Sequence, residues 1–193
     1  MEAMTMECHA AAEALAVTDE ALALAASDDR RAFLTLYDRY AGRVERYIAM
    51  RIGQGEVEDL VSTTFERALS RIHTFRQRRG SFAAWLFAIA HNAIVDRHRT
   101  AGRMVELNEA GLVITSEHGV ETLVEEREAA MRLRLLLQGL PPDQRDALAL
   151  RYGADLRFAE VGHALGRSES AAKMLVQRGL RALREELHGE DRR

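Results

Sequence analysis

The sequence lacks nearly everything that would fix a fold by covalent or metal chemistry. It has a single cysteine in 193 residues, Cys8, so no internal disulfide can form. With the adjacent His9 it offers at most two metal ligands, too few for a structural zinc site. Only two prolines occur, side by side at Pro141 and Pro142, which leaves long stretches without the residue that breaks helices. No run of 18 or more apolar residues is present, and acids stand near the N-terminus where a secretory signal carries bases. No membrane insertion is expected, and the cytoplasm is the expected location. A Gly-rich phosphate loop, an HExxH metal pair and a nucleophile set beside paired carboxylates are missing too. No catalytic residues, no cofactor and no metal are therefore expected.

What is present is 47% apolar and 30% charged, the composition of an ordinary globular protein. Ala, Leu, Arg and Glu dominate, so an all-α fold is expected. The net charge of −3 conceals a segregation. Residues 1–27 carry five acids and no Lys or Arg, whereas residues 28–103 carry 14 arginines against nine acids. Residues 104–126 carry six acids and no base, and residues 127–193 carry 13 bases against ten acids. Two basic modules separated by an acidic linker suit a protein that grips a polyanion at two points.

Helical periodicity gives the modules their elements. Residues 1–27 show no clear stop signals and read as a frayed helix or a disordered tail. Ser27 with Asp28 and Asp29 reads as a helix start, and Phe33, Leu36, Tyr37, Tyr40, Val44, Tyr47 and Ile48 then recur at helical spacing. Gly53 and Gly55 break this helix, and Val57, Leu60, Val61, Thr64, Phe65, Ala68 and Ile72 mark a second. A polar loop with Arg76, Arg78 and Arg79 follows. Ser81 caps a third helix with a stripe of Phe82, Trp85, Leu86, Ile89, Ala93 and Ile94. The 23 residues from 104 to 126 read as a flexible linker that spans about 75 Å when extended. Beyond it, Met131, Leu135 and Leu136 lead to Leu140, and Pro142 opens a helix running to about Tyr152.

From Phe158 to Leu183 the pattern is that of a helix-turn-helix. Val161 and Leu165 are apolar, Gly162 is small where two helices touch, and Gly166 sits at the turn. Ser168 caps the second helix, whose Ala172, Val176, Leu180 and Leu183 face inward. On the opposite face Lys173, Gln177, Arg181 and Arg184 line one side, as a helix lying in a DNA major groove requires. Side chains of these types read base edges, while a peripheral cation such as Arg178 holds phosphate.

Three motifs carry a family resemblance. The run from Glu58 to Ala68, EDLVSTTFERA, resembles the polymerase-binding helix in domain 2 of bacterial extracytoplasmic-function (ECF) sigma factors of the sigma-70 family. The run from Trp85 to Arg97, WLFAIAHNAIVDR, is similar to that family's promoter −10 helix. Leu140-Pro141-Pro142, then Leu148 to Tyr152, then the helix-turn-helix together resemble its domain 4, which binds the −35 element. The resemblance implies two small helical domains, 28–103 (domain 2) and 127–193 (domain 4), joined by the linker 104–126 and preceded by an extension, 1–27.

The resemblance further implies a chain that binds core RNA polymerase and promoter DNA, is held by an anti-sigma factor, and directs promoter-specific initiation. Carried onto this sequence, polymerase contact falls to Glu58, Asp59, Leu60, Thr64 and Phe65. Contact with −10 DNA falls to Phe75, Arg76, Arg78, Arg79, Asn92, Arg97 and Arg99, with Phe75 either a stacking face or a core anchor, and Asp96 orienting an arginine. Contact with −35 DNA falls to Ser168, Lys173, Gln177, Arg178 and Arg181. The chain departs from the family pattern at Ser62, Thr63, Arg157, Gly162 and Leu175. At Arg157 a capping Ser or Thr is replaced, which predicts a helix start weaker by about 1 kcal/mol. Two other readings compete: a conventional helix-turn-helix regulator binding DNA as a dimer, and a sigma mimic that decoys an anti-sigma factor.

Overall fold

The computed structural model describes residues 17–52, 54–101, 132–133 and 135–190, and among these the regular secondary structure is entirely helical. The linker 104–126, residues 1–16 and residues 127–131 lie outside the described residues.

The N-terminal half holds four α-helices: α1 (Asp19–Ala25), α2 (Arg30–Arg51), α3 (Val57–Arg71) and α4 (Phe82–Ala101). The end of the extension is thus a docked helix rather than a tail. Thr18 caps it by accepting from the Ala21 N–H, and Leu22 and Ala23 are buried. Asp19 accepts from Arg39 at 2.6 Å and from the Tyr40 hydroxyl at 2.5 Å, and Glu20 accepts from the Phe82 N–H at 3.2 Å, satisfying a free donor at the start of α4. The cap of α2 is Asp29, not Ser27: its carboxylate accepts from the Arg31 N–H at 2.8 Å. Residues 28 and 29 donate back to Ala25, so the chain there is still closing α1.

The stripes expected for α2, α3 and α4 meet in one core built on rings. Phe82 sits edge-on to Tyr40 and Phe75, with centroids 5.3 and 5.9 Å apart, and Tyr47 is edge-on to Phe87 at 5.7 Å. These separations suit the ring quadrupoles. Between α3 and α4 the loop makes two short 3₁₀ turns, Ile72–Thr74 and Gln77–Arg79, pinned by buried Phe75 and closed by Gly80 at φ +140°, where a side chain would be strained.

In the C-terminal half, residues 135–138 are helical, and α5 (Pro142–Leu148) opens on its proline and continues into a π-turn, Ala149–Gly153. The helix-turn-helix follows as α6 (Phe158–Ala164) and α7 (Glu169–Glu190). Here the core is aliphatic: Leu148, Leu150, Leu156, Val161, Ala172 and Val176 are almost wholly buried. Gly162 is obligatory, since a Cβ there would lie 2.8 Å from the Arg167 carbonyl oxygen. Gly166 takes φ +63° at the turn and Ser168 caps α7 through the Ala171 N–H, both as expected. The start of α6, where Arg157 replaces a cap, is repaired from inside the helix. Glu160 accepts from the Arg157 N–H at 2.9 Å and pairs with its guanidinium at 3.1 Å.

The two halves are packed on each other. Arg43 of α2 stacks over Tyr40 and donates to the carbonyl of Ala154 at 2.7 and 2.9 Å and to that of Asp155 at 3.2 Å. Ser81 donates to Glu160 at 2.7 Å.

Candidate nucleic-acid interface

The helix-turn-helix presents the face its spacing predicts. Lys173, Gln177, Arg181 and Arg184 are exposed along α7, with Arg178 and Ser168 exposed beside them, while Ala172 and Val176 are buried opposite. At about 1.5 Å per residue, Lys173 to Arg184 spans about 16 Å. Beside this face Ala171, Met174 and Leu175 line a shallow apolar groove of about 210 Å3 framed by Arg167 and Arg178.

A second cationic surface begins at the loop before α4. Arg76, Arg78 and Arg79 are all exposed there, and Arg76 donates to the carbonyls of His73 at 2.6 Å and Phe75 at 2.8 Å. Phe75 is 2% exposed and edge-on to Trp85 at 5.8 Å, so of its two expected roles the structure supports the core anchor. Thr74, Phe75, Arg76, Arg79, Gly80 and Trp85 nonetheless line a cavity of about 220 Å3, closed on its far side by His163 of α6. Asn92, Arg97 and Arg99 are exposed further along α4. Arg97 lies about 22 Å from Phe82 along the axis, so these cations form a track rather than a point. Arg97 is ion-paired with Glu56, whose carboxyl is thereby held below its ordinary value. Asp96 sits between Arg67 at 3.0 Å and Arg99 at 3.2 Å, the orienting role expected of it.

The set expected to touch polymerase divides. Glu58 and Asp59 are exposed in the first turn of α3, but Leu60, Thr64 and Phe65 are buried. The Thr64 hydroxyl donates to the Leu60 carbonyl at 2.6 Å, and Phe65 packs against Tyr37 at 4.6 Å. These three hold the helix in place and present no surface; the exposed face of α3 carries Ser62, Glu66 and Leu69 instead. Sequence reasoning missed this because all three match the family motif while also lying on the apolar stripe.

It also missed the buried charges between the halves. Arg51 of α2 and Asp146 of α5 form an ion pair with side chains 5% and 8% exposed. The pairing is poorly directed: Nε and Nη1 of Arg51 and Oδ1 of Asp146 complete no hydrogen bond. His91 stands beside it, its Nδ1 3.3 Å from the Tyr47 hydroxyl and 4.0 Å from Asp146. Burial holds this imidazole below its ordinary value, outweighing the nearby carboxylate. One signal was available: Arg51 falls four residues after Tyr47 and three after Ile48, on the buried stripe.

The comparisons with known proteins agree with this geometry. The family model Sigma-70 region 2 matches residues 36–104, and Sigma-70, region 4 matches residues 136–185. The RNA polymerase sigma factor CarQ of Myxococcus xanthus is 34% identical over 161 residues, covering 80% of this chain and 86% of CarQ. The chain belongs to the ECF RNA polymerase sigma factors. Another relative, the ECF RNA polymerase sigma factor BldN of Streptomyces coelicolor, is 37% identical over 79% of this chain, which spans 59% of BldN's length. Among solved structures, CnrH in complex with the cytosolic domain of CnrY matches with a TM-score of 0.65 and 26% identity over 89% of this chain and 97% of that one. Sigma factors are not enzymes. Among the described residues no helix is long and apolar enough to cross a membrane.

Proposed function

We propose that this sigma factor binds core RNA polymerase and directs initiation at promoters read in two places: at −10 by the 74–81 loop and α4, and at −35 by α7. The observation that carries this is the pair of exposed cationic surfaces on the two halves, each backed by buried apolar residues of its own half. In the −10 reading, Arg78 and Arg79 hold the displaced strand while Asn92, Arg97 and Arg99 follow it along α4. In the −35 reading, Lys173, Gln177 and Arg181 face the base edges and Arg178 and the Ser168 end of α7 face phosphate. Residues 28–103 and 127–193 act as the two reading domains, with 104–126 as the tether. Glu58 and Asp59 of α3 supply the polymerase contact. The chain works in the cytoplasm, where the polymerase is.

The apolar groove at Met174, framed by Arg167 and Arg178, suits an amphipathic helix with acidic flanks. That is the surface we assign to an anti-sigma factor. It overlaps the −35 face, so capture and DNA reading compete. A decoy that only absorbs an anti-sigma factor has no use for the exposed Lys173, Gln177 and Arg181. Run-off transcription with purified core polymerase on genomic fragments tests the function: discrete transcripts that depend on this chain are expected, and their absence from every fragment would sink it.

A further inference from the structure

The cavity between the 74–81 loop and α6 joins charge to rings in one small space. Arg76, Arg79 and the imidazole of His163 line it, and among the described residues no carboxylate does. Arg76 is held in place by its bonds to the His73 and Phe75 carbonyls, whereas Arg79 has no ion-pair partner among the described residues. Positive groups gathered without a counter-charge, against walls of low dielectric, concentrate small anions.

The other wall is aromatic. Trp85 is half-buried in the first turn of α4, fixed edge-on to Phe75 at 5.8 Å and tilted against Phe82 at 5.7 Å, and it lines the cavity together with Phe75. A ring fixed in this way offers a stacking surface to a planar ligand, and any base has a face to stack. Gly80 lets the imidazole close the far side: it carries no Cβ, and one would lie 2.5 Å from Nδ1 of His163. The Ser81–Glu160 bond at 2.7 Å holds loop and helix in register. At about 30 Å3 per water molecule, the volume of about 220 Å3 is the space of about seven waters. That suits a fused two-ring base and is far too small for a peptide helix.

We propose that this cavity binds a free purine nucleotide, its base against Trp85 and its first phosphate between Arg79 and His163. An inorganic anion satisfies the cations and leaves the ring uncovered, and an uncharged planar molecule does the reverse; a nucleotide satisfies both. With His163 opposite the loop, the space takes a detached molecule rather than a continuous strand. His163 belongs to neither promoter-reading surface, so the site goes beyond the sigma-factor reading and stands or falls on binding alone.

The chain's single tryptophan is Trp85, so its emission reports on this cavity directly. Titrating AMP into the full chain should quench that emission saturably, and calorimetry should count one AMP per chain. Adenosine and ribose 5-phosphate, which each carry only part of the ligand, should bind at least tenfold more weakly, since base stacking by itself is worth about tenfold or more in affinity. His163→Ala removes an exposed side chain from the far wall, and should weaken AMP at least fivefold while helicity by circular dichroism stays at the parental level. Emission that does not respond to AMP would overturn the site, as would AMP binding to His163→Ala with parental affinity. Ribose 5-phosphate binding as tightly as AMP would reduce the cavity to an anion site and overturn the nucleotide, and adenosine doing so would overturn the part given to Arg79 and His163. The two part-ligands need no variant, so the proposal is tested even if His163→Ala were to unfold.

Discussion

The two halves of this sigma factor build cores of similar burial from different materials. Nine of the chain's eleven aromatic residues lie between residues 28 and 103, and eight of the nine, all but Tyr37, pack edge to face with a ring neighbour. The C-terminal half instead packs Leu, Val and Ala, brings backbones together at Gly162, and at Gly179 leaves room for the Leu148 side chain, which a Cβ would meet at 2.7 Å. Rings fill volume and fix the angles of long helices, which suits a rigid track along α4. Small residues let short helices nearly touch, which suits a helix-turn-helix whose two members must keep a tight angle.

The largest break should come in the ring core. Phe82 is fully buried against Tyr40, Phe75 and Trp85. Phe82→Ala should cost about 3–5 kcal/mol by denaturant unfolding, because rigid neighbours cannot collapse into the cavity. If the loss were below about 1.5 kcal/mol, the ring core would not be the rigid element supposed here.

In the C-terminal half the opposite change should do the damage. Gly162→Ala adds a methyl where the Arg167 and Ser168 backbone already sits, and should cost about 1–3 kcal/mol through overpacking. Amide exchange should speed up in α6 and α7 while α3 keeps its protection. Unaltered exchange in α6 and α7 would mean that the turn can relax.

Acid separates the halves more gently. His91 has its value lowered by burial, so the unfolded chain binds more protons and stability falls as pH drops below the ordinary imidazole value of 6.5. Facing it are Tyr47, Arg51, Asp143 and Asp146, of which the carboxylates oppose the shift and Arg51 adds to it. Glu160 behaves differently. Burial raises it, but its bonds from Arg157 and Ser81 outweigh that and lower it, so its contribution is present above the ordinary 4.5 and is lost only below it. Denaturant midpoints should therefore decline from pH 7 to 5 in the parent and less in His91→Gln, where His98, also lowered by burial, keeps its share of the decline. An identical slope in the two would remove His91 as the cause.

The smallest effect on folding should come from the reading face. Lys173→Ala alters an exposed side chain whose loss should change stability by less than about 0.5 kcal/mol. The same change should weaken −35 use by about 1–3 kcal/mol if Lys173 reads a base, relaxing preference at one position, or weaken all sequences alike if it holds phosphate. Promoter binding unchanged on a randomised −35 library would remove it from the interface.

Most of the helices were legible because burial leaves a period in the sequence. The stripes from Phe33 to Ile48, Val57 to Ile72 and Phe82 to Ile94 mark three real helices, and Pro142, Gly166 and Ser168 stand at the boundaries they announce. α1 was not legible: seven residues carry too short a pattern, and its tertiary partners, Arg39, Tyr40 and Phe82, lie 20, 21 and 62 positions away. The polymerase set was legible as a motif but not as a surface, since a motif does not tell which of its members face inward.

By itself the sequence determined the helical class, the two-part charge layout and which face of α7 is exposed, because each depends on the order of residues along the chain rather than on distant partners. Only the tertiary structure decided that Phe75 is a core anchor, that Leu60, Thr64 and Phe65 are buried, and that Arg51 meets Asp146 across the two halves. Those outcomes turn on which surfaces approach one another. A charge on an apolar stripe can be read as buried, but its counter-charge, 95 positions further along, is found only when the chain has folded back to place it there.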